Sequence, residues 1–380
     1  MKQFYPLSAF LTEYSEKNDG NKYRPVAVGR YGIRPRESIY SKELAKDYSK
    51  NKLIHKNTLT VGMGSVQIDI GILTEDITYS VSPAYHTYRI TGIDATYLRY
   101  CLECRNQDMF ARFVKRGSRQ GKTIDLKRWL TYEIPVYDMV RQAEIVDRLD
   151  RILGLIEKRK EQLLQLDQLV KSRFIELFGD PVGNPKGWTM VPLGTRCEII
   201  TGNTPSRAEA KNYGEFIEWI KSDNINTPYT FLTEAQEYLS EIGFQKCRFV
   251  EAGSLLMTCI AGSVNCIGNV AVADRRVAFN QQINAIVPNE DGVLYLYWLM
   301  LLSKPAIHRA INMALKGILS KRQLSEMMFP FPPVALQKQF VTFVEQTDKS
   351  KYYSSLSSQC YRKVVNTYRQ EWIKCQTSNF

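Results

Sequence analysis

The chain has 380 residues, of which 44% are hydrophobic and 24% charged, and its formal net charge at pH 7 is +12. This composition is typical of a folded protein of two or three domains and excludes a disordered or low-complexity chain. No stretch approaches the ~20 consecutive apolar residues of a membrane-spanning helix. The basic excess favours an acidic partner such as nucleic acid, although many basic proteins bind none.

The cysteines and the N-terminal segment both indicate a reducing compartment. The eight cysteines are scattered, mostly within apolar runs, a pattern typical of free thiols. Residues 1–20 lack the basic flank and apolar run of a signal peptide. We therefore expect a cytoplasmic protein.

Residues 1–123 are predicted to form a first globular domain of α+β type. Apolar runs that end in glycine turns, at 23–29 and 59–64, are typical of strands, and further strands are expected at 65–73 and 77–82. Residues 94–113 are the best helix candidate of this domain. The basic segment 115–122 that follows is predicted to be a loop.

A long helix is predicted over residues 138–178, within a region 124–187 that also contains a Gly/Pro-rich linker at 179–187. Its apolar residues recur at alternating steps of four and three, which is the a/d pattern of a coiled coil rather than the wider stripe of a helix on a globular core. Such a helix needs a partner. The seam contains Ile145, Leu149, Ile152, Ile156, Leu163, Leu166, Val170 and Leu177.

Residues 188–318 are predicted to form a second globular domain of the same style. Strand candidates lie at 191–201, 216–220, 254–260, 269–273 and 283–287, and a helical pattern covers 294–302. Strands predominate in the pattern of the first domain, and the two domains together predict an α+β fold.

An internal repeat relates the two halves of the chain. With Pro135 placed over Pro330, Gln142 falls on Gln337 and Leu149 falls on Val344. The region 319–380 is therefore predicted to supply the partner helix, antiparallel to the first, with an approximate two-fold axis between the repeats. Its expected seam contains Phe340, Val344, Thr347, Lys351, Ser354, Ser358, Tyr361, Val365, Tyr368 and Trp372.

This geometry predicts a ruler for DNA. A helix of roughly 40 residues is about 60 Å long, which exceeds one turn of duplex. Two basic globular domains held apart by a rigid spacer suit a protein that reads two separated half-sites.

The candidate DNA-contacting residues are cations, amides and hydroxyls in predicted loops and turns. Arginine can bind guanine bidentately and asparagine or glutamine can bind adenine, while lysine and arginine also bind phosphates. Solvated connectors and ordinary strand turns explain the same segments without DNA. The first half contributes Arg24, Arg30, Arg34, Lys115, Arg116, Ser118, Arg119, Gln120 and Lys122. The second half contributes Lys221, Asn224, Asn226, Asn280, Gln281, Gln282, Lys316, Lys321 and Arg322.

No catalytic, cofactor or metal motif is recognisable in the sequence. Cys101 and Cys104 form a single Cys-x-x-Cys within a helical stretch, which favours structural thiols over a zinc site. The three histidines, at 55, 86 and 308, are widely separated, and we expect surface or packing roles for them. We therefore predict no catalytic residue and no bound metal.

Two segments carry a resemblance to a known family. Residues 171–181, KSRFIELFGDP, and 188–206, WTMVPLGTRCEIITGNTPS, closely resemble the central region of type I restriction-modification specificity subunits. The helix entries Pro135 with Gln142 and Pro330 with Gln337 resemble that family too. The resemblance implies two target-recognition domains, one for each half of a split DNA site.

The resemblance also implies partners. The expected partners are double-stranded DNA, two methyltransferase (modification) subunits and restriction subunits. S-adenosylmethionine and ATP with Mg are then expected on those subunits, with no cofactor on this chain, which would direct methylation and cleavage without being an enzyme. The alternatives are a coiled-coil scaffold that binds only proteins and a stand-alone DNA-modifying enzyme.

Overall fold

The computed structural model describes residues 3–39, 47–117, 121–311 and 317–351, together with Lys363 and Thr367. The chain divides into two compact units. Unit 1 contains Met1–Arg159 and unit 2 contains Lys160–Leu356, so the division falls within the long helix. The mixed helix and sheet content confirms the α+β class, while the bounds of the four predicted regions stay predictions.

Unit 1 is built from twelve strands and three helices among its described residues. The strands are β1 Gln3–Pro6, β2 Leu11–Tyr14, β3 Val26–Gly29, β4 Gly32–Pro35, β5 Lys52–Ile54, β6 Thr58–Met63, β7 Ile68–Leu73, β8 Tyr79–Val81, β9 His86–Ile90, β10 Val114–Gly117, β11 Gly121–Ile124 and β12 Glu133–Val136. The helices are α1 Ala95–Phe113, α2 Leu126–Trp129 and α3 Met139–Phe178.

The core of unit 1 is a four-stranded antiparallel sheet in the order β2-β9-β6-β7. Helix α1 begins where the Asp94 carboxylate accepts a hydrogen bond from the Tyr97 N–H, an N-terminal cap. It packs on the sheet, where the buried Asn106 side chain bonds both the N–H and the carbonyl of Ile68. The hairpin of β3 and β4 packs against β7 of this sheet.

Unit 2 contains the remaining strands and helices. The strands are β13 Met190–Pro192, β14 Cys197–Thr201, β15 Tyr213–Ile220, β16 Tyr238–Leu239, β17 Phe249–Val250, β18 Leu255–Thr258, β19 Val270–Val272, β20 Val277–Phe279, β21 Ile283–Pro288 and β22 Met328–Pro330. The helices are α4 Leu193–Arg196, α5 Ser222–Ile225, α6 Glu241–Gln245, α7 Val293–Leu302, α8 Lys304–Ala310, α9 Lys321–Glu326 and α10, residues 334–351.

The central sheet of unit 2 has the same pattern as that of unit 1. Its order is β14-β21-β18-β19, all antiparallel. In each unit a short strand from the beginning pairs with the strand that leads into a helix: β1 with β12, and β13 with β22. Each unit thus places its sheet and its helix entry in the same order along the chain.

The helix entries share their hydrogen bonds. In unit 1, Gln142 accepts from the Asp94 N–H at 2.9 Å and donates to the Tyr137 carbonyl at 2.7 Å. In unit 2, Gln337 accepts from the Gly292 N–H at 3.3 Å and donates to the Pro332 carbonyl at 3.0 Å. Both glutamines are buried.

A tyrosine completes each entry. The Tyr97 hydroxyl donates to the Pro135 carbonyl at 2.8 Å, and the Tyr295 hydroxyl donates to the Pro330 carbonyl, also at 2.8 Å. The paired prolines and glutamines lie 195 residues apart, as the repeat predicts.

Helix α3 differs from the predicted seam at both ends. Ile145 and Leu149 pack in the core of unit 1, and at the other end Phe174 and Phe178 are buried more deeply than the predicted Leu177. The ends of α3 therefore lie on globular cores with a broad apolar stripe. The helix itself begins and ends within one residue of its predicted limits.

In unit 2, α10 packs antiparallel to the C-terminal part of α3. Phe340 contacts Phe174 with ring centroids 5.3 Å apart, while Lys351, further along α10, pairs with Asp167, further back in α3, at 2.7 Å. Lys351 also pairs with Asp348 at 3.0 Å. The polar middle of the predicted seam thus begins with an ion-pair network, and the seam positions from Ser354 onward lie outside the described residues.

The Gly/Pro-rich segment after α3 forms a folded cap over the end of the helix. Gly179, at φ +79°, donates its N–H to the Ile175 carbonyl, a left-handed C-terminal cap. The Trp188 indole donates to the Phe178 carbonyl at 2.9 Å, and the Lys186 ammonium donates to the Leu177 carbonyl at 3.1 Å. Glycine and proline end the helix here, but side chains close the turn over its free carbonyls.

Two further predictions need correction. The basic segment 115–122 is not a plain loop, because β10 and β11 form a hairpin around it. The predicted strand 191–201 is interrupted by the helical turn α4 between β13 and β14. Within the part of the chain that the structure describes, no helix is both long and apolar enough to cross a bilayer.

Candidate nucleic-acid interface

A β-hairpin in unit 1 exposes the side chains of Arg30, Tyr31 and Arg34 to solvent. Strands β3 and β4 pair from Val26–Pro35 to Gly29–Gly32, which leaves Arg30 and Tyr31 in a two-residue connection. Gly32 has φ +76°, and no positive φ is found at Arg30 or Tyr31. This combination is typical of a turn that ends in a glycine bulge.

The inner face of this hairpin is seated on the sheet. Val26 and Val28 are buried, and the Tyr85 hydroxyl donates to the Val28 carbonyl at 2.9 Å. A β-carbon on Gly71 of β7 would lie 2.6 Å from Ile33 Cγ1, so only glycine allows the hairpin to sit this close. The base of the hairpin is therefore held firmly.

The outer end of the hairpin carries an aromatic ring with two guanidiniums close to it. Tyr31 is 69% exposed. Arg34 Cζ lies 5.0 Å and Arg30 Cζ 5.8 Å from the centre of the Tyr31 ring, within cation–π range. Among the described residues neither arginine makes an ion pair, whereas Arg24 pairs with Glu37 at 2.8 Å.

The second basic hairpin of unit 1 has its cations engaged within the protein. Lys115 pairs with Asp125 at 2.9 Å, and this hydrogen bond lowers the pKa of the Asp125 carboxyl. Lys122 donates to the Ser65 carbonyl and lies 5.3 Å from the centre of the Phe110 ring. Ser118, Arg119, Gln120 and the side chain of Arg116 lie outside the described residues, so their predicted contacts stay predictions.

In unit 2 the predicted cation Lys221 is neutralised. It pairs with Glu237 at 2.5 Å, and Glu237 also accepts from Arg207 at 2.9 Å. Both hydrogen bonds lower the pKa of the Glu237 carboxyl, and the bond from Lys221 has the larger effect. Both cations lie over the Trp219 ring, Arg207 at 5.3 Å and Lys221 at 5.4 Å, and this ring is buried.

The predicted amide residues of the first unit 2 loop bond other protein groups. Asn224 is buried; its oxygen accepts from the Lys221 N–H and its nitrogen donates to the Glu234 carbonyl at 3.0 Å. Asn226 is exposed, and its oxygen accepts from the Asn269 amide at 2.7 Å. This geometry favours a structural role for Asn224.

The amide cluster at 280–282 connects β20 to β21. Asn280 is buried and bonds Gln282 twice: its oxygen accepts from the Gln282 N–H, and its amide donates to the Gln282 side chain at 3.2 Å. Gln281 is exposed and accepts from the Thr204 hydroxyl. Gln281 is thus the most accessible of the three.

The basic group that precedes α10 is open to solvent. Lys321 is exposed at the start of α9, and the exposed Arg322 pairs with Glu326 one turn later at 2.8 Å. Lys316 lies outside the described residues. None of these observations tests DNA contact by the predicted residues, and those contacts stay predictions.

Sequence reasoning missed Tyr31. Its signal was present, because the segment Gly29-Arg30-Tyr31-Gly32 places an aromatic residue beside an arginine between two glycines. The basic run predicts DNA contacts by the arginines but does not indicate whether the tyrosine is exposed. Only the hairpin shows that the ring is exposed and that Arg34 returns to it across the turn.

The residues with possible reactive chemistry are engaged in structural contacts. Cys101 and Cys104 are free thiols in α1, and burial raises the pKa of Cys101 to about 12. Both His55 ring nitrogens are hydrogen-bonded, to Thr78 and Glu16. Within the described ranges no group of three or more His, Cys, Asp or Glu side chains could hold a metal ion.

Comparison with known proteins shows what this chain is similar to. The family model for the type I restriction modification DNA specificity domain matches residues 185–353. The chain is 26% identical over 189 residues to the type I restriction enzyme HindI specificity subunit of Haemophilus influenzae. These matches show that the chain is similar to type I restriction-modification specificity subunits.

The chain is also similar to a second specificity subunit. The chain is 21% identical over 269 residues to the putative type I restriction enzyme MjaX specificity subunit of Methanocaldococcus jannaschii. The matched regions cover 49% and 65% of this chain, but only 40% and 59% of these two relatives, so the chain spans less than two thirds of their lengths.

The structural matches extend over nearly the whole chain. The type I S subunit from M. genitalium aligns with a TM-score of 0.59 at 14% identity, covering 98% of this chain and 96% of that one. A chain from a study of complex assembly and conformational transition of the type I R-M system aligns at 0.56 and 16% identity, covering 97% of each. At these identities the likeness shows that the specificity-subunit fold is shared.

Proposed function

We propose that this chain is the DNA-specificity subunit of a type I restriction-modification complex. It binds a bipartite site in double-stranded DNA, with one globular domain for each half-site. It performs no catalysis itself and directs methylation and cleavage by its partner subunits in the cytoplasm.

The observation that carries this proposal is the repetition of one frame within one chain. Each unit has a four-stranded antiparallel sheet of equivalent order, and each helix entry uses the same glutamine and tyrosine contacts. The surfaces built on these two frames differ. A repeated frame with different surfaces suits a protein that reads two different half-sites.

The partners follow from the family. Two modification subunits would dock on the helical region and restriction subunits would add to them, and these subunits would bind S-adenosylmethionine and ATP with Mg. Both relatives are named as specificity subunits of type I restriction enzymes, which supports a complex of this kind. The net charge of +12 supports DNA as the ligand.

The test sequences methylated bases in host cells that express the modification subunits with and without this chain. We expect methylation at a bipartite motif only when the chain is present. Replacing residues 188–318 by those of another family member should change one half-site and leave the other. The matched control replaces residues 1–123 instead and should change the opposite half-site.

Two results would contradict the proposal. A change in both half-sites after one replacement would show that the domains do not read independently. Methyl transfer or DNA cleavage by the purified chain alone would show that it is itself an enzyme.

A further inference from the structure

We propose that the hairpin β3–β4 is the element of unit 1 that enters the DNA major groove, with Tyr31 as a base-contacting residue between Arg30 and Arg34. This inference rests on the proposed function and identifies the part of unit 1 that determines specificity. No motif of the sequence assigned a role to Tyr31.

The hairpin is anchored at its base and accessible at its tip. Its inner residues pack against β7, where Gly71 allows the close approach, and the Tyr85 hydroxyl bonds the Val28 carbonyl. Its tip carries Tyr31, 69% exposed. A rigid base with an exposed tip gives a side chain a defined position before the ligand arrives, which lowers the ordering cost of binding.

The charge of this segment is complementary to DNA. Residues 24–37 contain four arginines and one acidic residue, Glu37, which pairs with Arg24. Among the described residues, Arg30 and Arg34 make no ion pair, and the contact of each guanidinium is with the Tyr31 ring. Their guanidinium donors are therefore available to phosphates or to the O6 and N7 atoms of guanine.

The shape of the hairpin fits one groove. Two paired strands are about 4.8 Å apart. The major groove, about 12 Å wide, admits a two-stranded ribbon without deformation of the DNA, whereas the minor groove is only about 6 Å wide. Arg34 lies on the outer face of β4, and its cross-strand neighbour is the small Ala27. The outer face can therefore approach base edges without a bulky residue beside the arginine.

The tyrosine supplies a contact that arginine does not. An aromatic ring packs against the thymine methyl group, which is exposed only in the major groove. Both guanidiniums lie within cation–π range of the ring, and the ring is 69% exposed, so part of it is accessible to base pairs. We therefore expect Tyr31 to set base preference, and the arginines to add phosphate or guanine contacts.

The first experiment sequences methylated bases in cells that express the modification subunits with the full-length wild type or a variant. Tyr31→Ala should relax base preference at one or two adjacent positions of one half-site and leave the other half-site intact. Tyr31→Phe should keep the wild-type motif because the ring remains. Tyr5→Ala is the matched control, since Tyr5 is 40% exposed in the same unit but lies on a different sheet.

The second experiment measures affinity of the purified complex for a duplex with the wild-type motif and for one without it. Tyr31→Ala should lower affinity for the motif duplex on the order of tenfold and leave the other unchanged. The double variant Arg30→Gln/Arg34→Gln distinguishes phosphate contacts from guanine contacts of the two arginines. A smaller salt dependence on both duplexes indicates phosphate contacts, and a changed motif indicates guanine contacts.

The outcomes distinguish this inference from the proposed function. If the wild type directs a bipartite motif and Tyr31→Ala reproduces that motif with unchanged affinity, the hairpin inference is overturned and the proposed function stands. If the wild type directs no methylation, both fail. If Tyr31→Ala abolishes methylation, the affinity of the folded variant complex decides: a selective loss on the motif duplex supports the inference, and equal loss on both overturns it.

Discussion

Two groups of the same residue types are used in opposite ways in this chain. In unit 1, Arg30 and Arg34 flank a tyrosine that is 69% exposed, and neither arginine has an acidic partner among the described residues. In unit 2, Arg207 and Lys221 flank Trp219, which is 2% exposed, and both cations pair with Glu237.

The difference teaches that a basic, aromatic pattern does not by itself indicate a DNA contact. The deciding element is the acid. Glu237 holds two cations that would otherwise face solvent, and a charge already paired within the protein contributes less to binding phosphates. The two units differ in these surfaces but share the hydrogen bonds of their helix entries. Variants of the shared contacts and of the surfaces therefore test the comparison separately.

The largest expected effect concerns the frame. Gln337→Ala should lower the free energy of unfolding by about 3 kcal/mol and Gln142→Ala by about 2 kcal/mol, because each leaves buried polar groups without partners. The cost is greater in unit 2, where Gln337 also donates to the fully buried Asp291, the partner of Arg196, at 2.7 Å. Urea denaturation measures both values. Lys338→Ala, an exposed neighbour, is the control, and equal losses for the two glutamines would contradict the ranking.

The next effect concerns the seat of the hairpin. Gly71→Ala should lower the free energy of unfolding by about 2 kcal/mol, because its β-carbon would overlap Ile33 and overpacking strains the contact. Gly29→Ala, in the same hairpin, is the matched control, since no atom lies within 4 Å of its β-carbon position. Thermal or urea unfolding compares the pair. Equal stability of the two variants would show that the hairpin is not held as tightly as the structure indicates.

A smaller effect tests the neutralised group in unit 2. Glu237→Gln should cost about 1 kcal/mol at pH 7 and raise affinity for DNA without the recognised motif, because Lys221 and Arg207 lose their counter-charge. Glu234→Gln changes the same charge at an exposed position without an ion pair among the described residues and serves as the control.

The same pair gives the sign of a pH effect. The pKa of Glu237 is lower in the folded state than the ordinary value of 4.5, so its contribution to stability is present above that value and is lost as pH falls through the lowered pKa. Glu237→Gln should therefore remove part of the stability loss on acidification below about pH 4.5, while Glu234→Gln should not. An identical pH dependence in both variants would disprove this assignment.

The smallest effect concerns the two ion pairs of Lys351, one with Asp167 of α3 and one with Asp348 of α10. Lys351→Met should change the free energy of unfolding by less than about 0.5 kcal/mol, because its partners Asp167 and Asp348 are partly exposed and remain hydrated. Lys349→Met, at an exposed position, is the control in the same unfolding assay. A loss similar to that of Gln337→Ala would show that this ion pair belongs to the frame.

Much of the fold was predictable from local pattern. The limits of α3, α1 and α7 agree with the predicted helices within one or two residues, because helix periodicity and terminal residues act over short distances in sequence. The predicted repeat agrees with the buried contacts of Gln142 and Gln337. The β10–β11 hairpin was missed, since glycine and basic residues predict a turn without showing what pairs across it.

The candidate interface was less predictable than the fold. Asn224 is an asparagine in a predicted polar loop, a residue type that can bind adenine. In the structure it is buried and hydrogen-bonded to Lys221 and Glu234. Lys221 and Glu237 are 16 residues apart, and Arg207 and Glu237 are 30 apart, so no local pattern shows that they meet. Tyr31 was overlooked because exposure is a property of the folded surface.

The amino-acid sequence by itself determined the α+β class, the long helix and the 195-residue repeat of proline and glutamine, because periodicity and repeated motifs depend only on the order of residues along the chain. Only the tertiary structure decided which charges are already paired, which amides are buried and which aromatic ring faces solvent. The physical reason is that pairing and exposure depend on residues brought together from distant positions. The hairpin Arg30–Tyr31–Arg34 and the cluster around Glu237 have similar compositions, and only their folded surroundings separate them.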